Sequence, residues 1–195
     1  MYVSDKYQIQ WWLPPRTGSR MTSEILLKLG FHNEWGHHIM FGESKHDVIL
    51  NLRNPYSVVV SYYLGSMYSK SKTFKEYLND KTINHLEKSN KHLMDYTEAL
   101  RERQLKVKQI VRYENFINDL LSVDFIKENL DLIPEELEKL NMGKTPWRTN
   151  YEESLIKPYS DFYNEEIAEM VYHSKKKFFD FGEYSKDSWK TLSEK

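Results

Sequence analysis

The chain has 195 residues, 28 Lys and Arg against 29 Asp and Glu, a net charge of −1, and no Cys. Disulfides, cysteine metal sites and thiol nucleophiles are excluded, and no global charge draws the chain to nucleic acid. The length suits one domain over residues 1–195 with a sizeable core. No apolar run approaches the ~20 residues of a membrane span. Asp5, Lys6 and Gln8 interrupt the start, so no signal peptide is expected, and the absence of Cys fits a reducing, cytoplasmic setting.

Ile9, Trp11, Trp12 and Leu13 form the first apolar run and read as a buried strand, stopped by Pro14 and Pro15. Arg16, Thr17, Gly18, Ser19 and Arg20 make a tight basic turn. Gly18 allows a close backbone turn, and a helix opening near Ser19 points free N–H groups and its positive dipole end into the turn. Arg16 and Arg20 add two permanent charges able to fork onto phosphate-type oxygens. Such a segment suits an anion, but it lacks the GxxxxGK[ST] pattern of a nucleoside triphosphate loop. Met21, Ile25, Leu26 and Leu29 mark the buried face of the helix, and Gly30 its end.

Residues 31–46 are polar and His-rich and read as a loop with a short strand at His38 to Phe41. Asp47 to Leu52 is a second strand. Asn54 and Pro55 then supply an N-cap and a first helical residue for a helix through YSVVVSYYLGSMY. Residues 70–81 read as surface loop or short helix. Residues 82–103 read as a long helix with Leu86, Leu93 and Leu100 on a core stripe. Val107 to Tyr113 is a third strand, and Phe116 to Leu140 suggests two short helices broken at Pro134. A final helix from Asn164 carries Glu165, Glu166 and Glu169 near its start and Lys175 to Lys177 near its end, matching the macrodipole, with Gly182 after it. Strands alternating with helices predict an α/β fold: three layers, with a mainly parallel sheet flanked by helices. Ligands in such sheets bind beyond the strands' carboxyl ends, where Arg16 and Arg53 both fall.

Several segments together resemble the sulfotransferases that use 3′-phosphoadenosine 5′-phosphosulfate (PAPS). PRTGSR at Pro15 to Arg20 resembles their strand–loop–helix motif. RNPYSVVVSYY resembles their second, an Arg at a strand end with a Ser eight residues on; here these are Arg53 and Ser61. VRYENF at Val111 to Phe116 resembles a third, and YNEEIAEMVYHSKKKFFDFGEY the Tyr-rich helix near the family's end. Arg20 stands where many members have Thr, and Met21 replaces a frequent Trp. No Arg-Lys-Gly triplet appears; Lys144, Trp147 and Arg148 lie where that loop would fall.

The resemblance implies a P-loop-like nucleotide-binding architecture. It implies transfer of a sulfuryl group from PAPS to a hydroxyl or amine, with no metal. Arg16 would contact the leaving phosphate and the sulfuryl oxygens. Thr17, Gly18, Ser19, Arg20 and Met21 would line the cofactor loop. Arg53 and Ser61 would hold the 3′-phosphate, Tyr113 would pack near the adenine, and Arg148 would close over the cofactor. A general base belongs near the acceptor. His38 and His37 are the candidates, with Glu34, Glu43 and His46 as rivals. Lys70, Lys72 and Lys75 could attract an anionic acceptor. The acceptor class stays open among sugar, lipid, phenol and protein tyrosine. The rival functions are a kinase-like transferase on the same fold and a non-catalytic module binding a nucleotide or a sulfated ligand.

Overall fold

The computed structural model describes residues 1–33, 45–80, 100–102, 104–141 and 157–192. They gather into two compact units. One is drawn from the stretches Met1–Leu52 and Asp95–Pro146, the other from Arg53–Met94 and Trp147–Lys195. The expected strand at His38 to Phe41 lies outside the described residues, as does most of the helix expected over 82–103.

The first unit is built on five strands: β1 (Tyr2–Ser4), β2 (Ile9–Trp12), β3 (His32–Asn33), β4 (Asp47–Leu52) and β5 (Val107–Arg112), in the order β3-β1-β2-β4-β5. β2 pairs with β4 and β4 with β5 in parallel, the pairing expected for strands joined by crossovers. β1 pairs antiparallel with both β2 and β3. The sheet is therefore mixed rather than mainly parallel. The reason is local: the four residues Asp5 to Gln8 close a hairpin, with Gln8 at φ 55° and its side-chain amide donating to the Asp5 carbonyl at 2.7 Å. Strands as short as β1 and β3 carry too few residues to show alternation in the sequence.

β2 and β4 are buried on both faces, which explains why apolar residues dominate them. On one face Trp11 and Ile49 meet α1 (Ser19–Lys28) through Ile25 and Leu26. The same cluster takes in Leu120, Val123, Phe125, Ile126 and Ile133 from the helices after β5. Phe125 stacks on Tyr7 at 4.5 Å and meets Trp11 edge-on at 6.1 Å. Gly30 closes α1 as expected: at φ 80° it lets Phe31 N–H reach the Leu26 carbonyl at 2.9 Å.

In the second unit α2 (Pro55–Leu64) starts as the sequence predicts, with Asn54 Oδ1 accepting from Tyr56 N–H at 3.0 Å and Pro55 in the first turn. It stops at Gly65, earlier than expected, and a single 3₁₀ turn follows at Met67–Lys70. α3 (Phe74–Asn79) opens on a reciprocal capping box between Thr73 and Glu76. After β5, three short helices replace the two expected: α4 (Phe116–Leu121), α5 (Asp124–Lys127) and α6 (Pro134–Asn141). The expected break at Pro134 is present, and Pro134 begins α6, the position where its missing N–H costs nothing. The last helix, α7 (Glu165–Gly182), is capped by Asn164, whose side chain accepts from Ile167 N–H at 2.9 Å. Gly182 lies inside it, and the left-handed residue at its end is Glu183, φ 57°.

The core of the second unit is aromatic: Tyr56, Tyr63, Phe74, Tyr77, Phe162 and Tyr163 are all buried. Three of the tyrosine hydroxyls reach backbone carbonyls. Tyr163 donates to Tyr56 at 2.7 Å, Tyr56 to Lys186 at 2.8 Å and Tyr63 to Lys72 at 2.7 Å. These three tyrosines are thus packed and hydrogen-bonded structure.

Candidate anion-binding site

The basic turn follows β2 and leads into α1, as expected, and its shape is fixed by bonds within the first unit. Thr17 is 1 % exposed, and its hydroxyl donates to the Pro14 carbonyl at 2.6 Å. Arg16 takes φ 68°, a left-handed conformation uncommon for a side chain of its size. Gly18 takes φ 80° and sits at the N-cap of α1, where no side chain caps the helix. The first-turn amides of α1 are therefore not claimed by a capping side chain.

Asn51 holds this turn. It stands next to the last residue of β4 and is 0 % exposed. Its Nδ2 donates to the Thr17 carbonyl at 3.0 Å and to the Thr22 hydroxyl at 2.8 Å, and its Oδ1 accepts from the Trp11 indole at 2.8 Å. Thr22 in turn donates from Oγ1 to the Gly18 carbonyl at 3.2 Å. In a trans peptide the C=O and the next N–H point in opposite directions. With the Thr17 carbonyl drawn toward Asn51, the Gly18 N–H points away from it. Sequence reading missed Asn51. The signal was there: a lone amide inside the apolar run DVILNL.

Gly18 is also where the first and third motifs meet. A Cβ built on Gly18 would lie 3.2 Å from Tyr113 Cδ2 and 3.4 Å from Phe116 Cε2. Tyr113 opens a 3₁₀ turn at the end of β5. Asp119 steadies that turn, accepting from Arg112 N–H and from the Asn115 side chain, each at 2.7 Å. Within the first unit Tyr113 thus packs on the turn itself. Ser19 and Met21 are half-buried in α1, and Arg20 is exposed.

In the second unit Arg53 is 5 % exposed, with its guanidinium carbon 5.7 Å from the centre of the Tyr159 ring. A guanidinium set over an aromatic face is a favourable cation–π contact, and its permanent charge suits an anion. Ser61 lies on α2 and is also buried. The sequence makes Lys175 a charge at the helix terminus, but it faces inward. It is 2 % exposed, and burial pulls its ammonium down to about 7. Lys176 pairs instead with Asp180 at 2.8 Å, one turn on. Of the lysines considered for an anionic acceptor, Lys72 pairs with Asp80 and Lys75 with Glu166, leaving less charge for that role.

His37, His38, Glu34, Glu43, Lys144, Trp147 and Arg148 lie outside the described residues. His46 is described, and the sheet removes it as a base for a ligand on the turn. It precedes β4 and bonds Asp5 at 2.8 Å. Ile9 pairs with Asp47 and Trp12 with Leu50, so His46 lies at the opposite end of the strands from the turn. A six-residue strand spans about 16 Å. Among the described residues, no group of three or more His, Asp or Glu stands ready for a metal ion, and no helix is long and apolar enough to cross a membrane. The chain matches no protein-family model, no curated protein and no solved structure.

Proposed function

We propose that this chain is a PAPS-dependent sulfotransferase with a P-loop-like, three-layer architecture, acting on a hydroxyl or amine acceptor. The observation that carries the reading is the strand–turn–helix from Ile9 to Lys28. There a buried amide turns the Thr17 carbonyl inward, Gly18 leaves α1 uncapped, and Arg16 and Arg20 flank the turn. This donor set suits the 5′-phosphosulfate of the nucleotide. The absence of a Gly-Lys-Ser/Thr sequence weighs against a nucleoside triphosphate. The buried Arg53 suits a second phosphate, and Ser61 would add a hydroxyl to it.

PAPS supplies the activated sulfuryl group. The chain's residues would position it and neutralise charge. Arg16 would meet the charge that grows on the leaving phosphate oxygen, and the turn amides would hold the equatorial oxygens. His38, or His37 beside it, would take the proton that the acceptor loses as its oxygen or nitrogen bonds to sulfur. Tyr113, set on Gly18, would border the nucleotide from the β5 side.

The test is calorimetric titration with adenosine 3′,5′-bisphosphate, AMP and ATP. The reading requires clear preference for the bisphosphate. Equal affinity for bisphosphate and AMP removes the 3′-phosphate assignment, and preference for ATP moves the chain toward a kinase-like transferase. Bisphosphate binding with no transfer to sugar, lipid, phenol or tyrosine acceptors favours a non-catalytic nucleotide-binding module.

A further inference from the structure

We infer that Asn51 is a positioning residue: its side-chain amide sets the Thr17–Gly18 peptide so that the turn receives the 5′ end of the bound nucleotide. The inference rests on the sulfotransferase reading above. It concerns a residue outside the motifs that suggested that reading.

Asn51 sits between Leu50 and Leu52 in a strand buried on both faces, where an aliphatic residue is the default. A buried amide is unfavourable unless its donors and acceptor are matched. Here both Nδ2 protons are given and Oδ1 is filled. The partners come from separate pieces of the unit: Trp11 on β2, Thr17 in the turn and Thr22 on α1. Both carbonyls flanking Gly18 are also bound from within. Asn51 takes that of Thr17, and Thr22 takes that of Gly18 through its backbone N–H at 3.1 Å and its hydroxyl at 3.2 Å. With the carbonyls held inward, the peptide N–H groups are presented outward. An aliphatic residue at 51 could pack as well, but it could not orient the turn.

The inference separates loop positioning from general stability through the choice of ligand. Adenosine 3′,5′-bisphosphate engages the turn through its 5′-phosphate, whereas adenosine 3′-phosphate has no group there. Calorimetry with both ligands, on wild type, Asn51→Asp and Asn51→Leu, should show the bisphosphate weakened at least tenfold. Affinity for adenosine 3′-phosphate should stay within twofold. Amide exchange should quicken across Gly18 to Thr22 and hold steady in β5. Two milder variants serve if both Asn51 changes prevent folding. Thr22→Val removes one partner of the amide and should weaken the bisphosphate severalfold. Trp11→Phe spares both Nδ2 bonds and should bind as wild type does. Unchanged bisphosphate affinity in the Asn51 variants, or in Thr22→Val where those do not fold, overturns the inference. So does an equal loss of both ligands. A wild type that does not prefer the bisphosphate overturns the sulfotransferase reading itself, and a wild type that does, with Asn51→Asp unaffected, overturns only the role of Asn51.

Discussion

Arg53 and Lys175 are both buried cations, and the two make opposite demands. Arg53 cannot lose its proton, so it stays charged although it is buried. Arg53→Ala should weaken adenosine 3′,5′-bisphosphate at least tenfold and leave AMP nearly unchanged, read by calorimetry. Loss of a buried charged contact costs on the order of 2–5 kcal/mol. Equal weakening of both ligands would place Arg53 in the structure of its unit and not in 3′-phosphate recognition. Lys175 can shed its proton, and burial favours that, bringing it to about 7. The unfolded chain keeps the ordinary lysine value near 10.5. Between these values the unfolded state holds more protons, so this group makes stability rise with pH from about 7 to about 10.5. Below about 7 both states are protonated and the burial penalty is complete. Lys175→Met should therefore raise the melting temperature more at pH 6 than at pH 10. A gain that is the same at both pH values would show that Lys175 is not held near neutrality.

The two ends of α1 show how two glycines with the same backbone angle serve different purposes. Gly18 and Gly30 both sit at φ 80°. A Cβ on Gly30 would meet nothing within 4 Å, while one on Gly18 would press on the Tyr113 ring at 3.2 Å. Gly30→Ala should cost only the left-handed strain, about 1–2 kcal/mol. Gly18→Ala should cost that strain plus displacement of Tyr113, and should weaken bisphosphate binding as well. Chemical denaturation of the two variants isolates the contact. Equal losses would mean that the Tyr113 ring moves aside freely. α7 carries a related lesson: its left-handed terminal residue is Glu183, not glycine, so the strain of ending that helix is borne by a side chain of ordinary size.

On the sulfotransferase reading, charge at the turn should matter more to rate than to binding. Arg16 would face a phosphate oxygen whose charge grows only as the sulfuryl group departs. Arg16→Ala should lower turnover about a hundredfold, with a smaller change in bisphosphate affinity. Turnover within a few-fold of wild type would assign the leaving group to another residue, Arg20 first. The proton acceptor gives a separate signature. With His38 as base, activity falls at low pH as the imidazole protonates, and His38→Ala lowers turnover roughly 10²–10⁴-fold with bisphosphate binding intact. A variant with full activity and the same acidic limb shifts the role to His37, Glu34 or Glu43.

The features legible in the chain are those whose physics is local. Two prolines end the apolar run after Leu13. Asn54-Pro55 starts α2, Asn164 starts α7 and Gly30 ends α1, because caps and turns are decided by the residues that form them. The parallel strands β2, β4 and β5 announced themselves through continuous or alternating apolar runs. The antiparallel strands β1 and β3 did not, because two- and three-residue strands exist only through the partners they pair with. Nor could the sequence place Tyr113 on Gly18, 95 residues apart in the chain, or set His46 at the far end of the strands from the turn. Lys175 read as a helix-end charge because its helix phase, not its neighbours in sequence, turns it inward. Asn51 was visible as an oddity, but its meaning depended on Trp11, Thr17 and Thr22 arriving from other elements. Side-chain chemistry can be read residue by residue. Which groups share a buried space is decided when strands pair and helices pack, since only then do distant residues exchange water for one another.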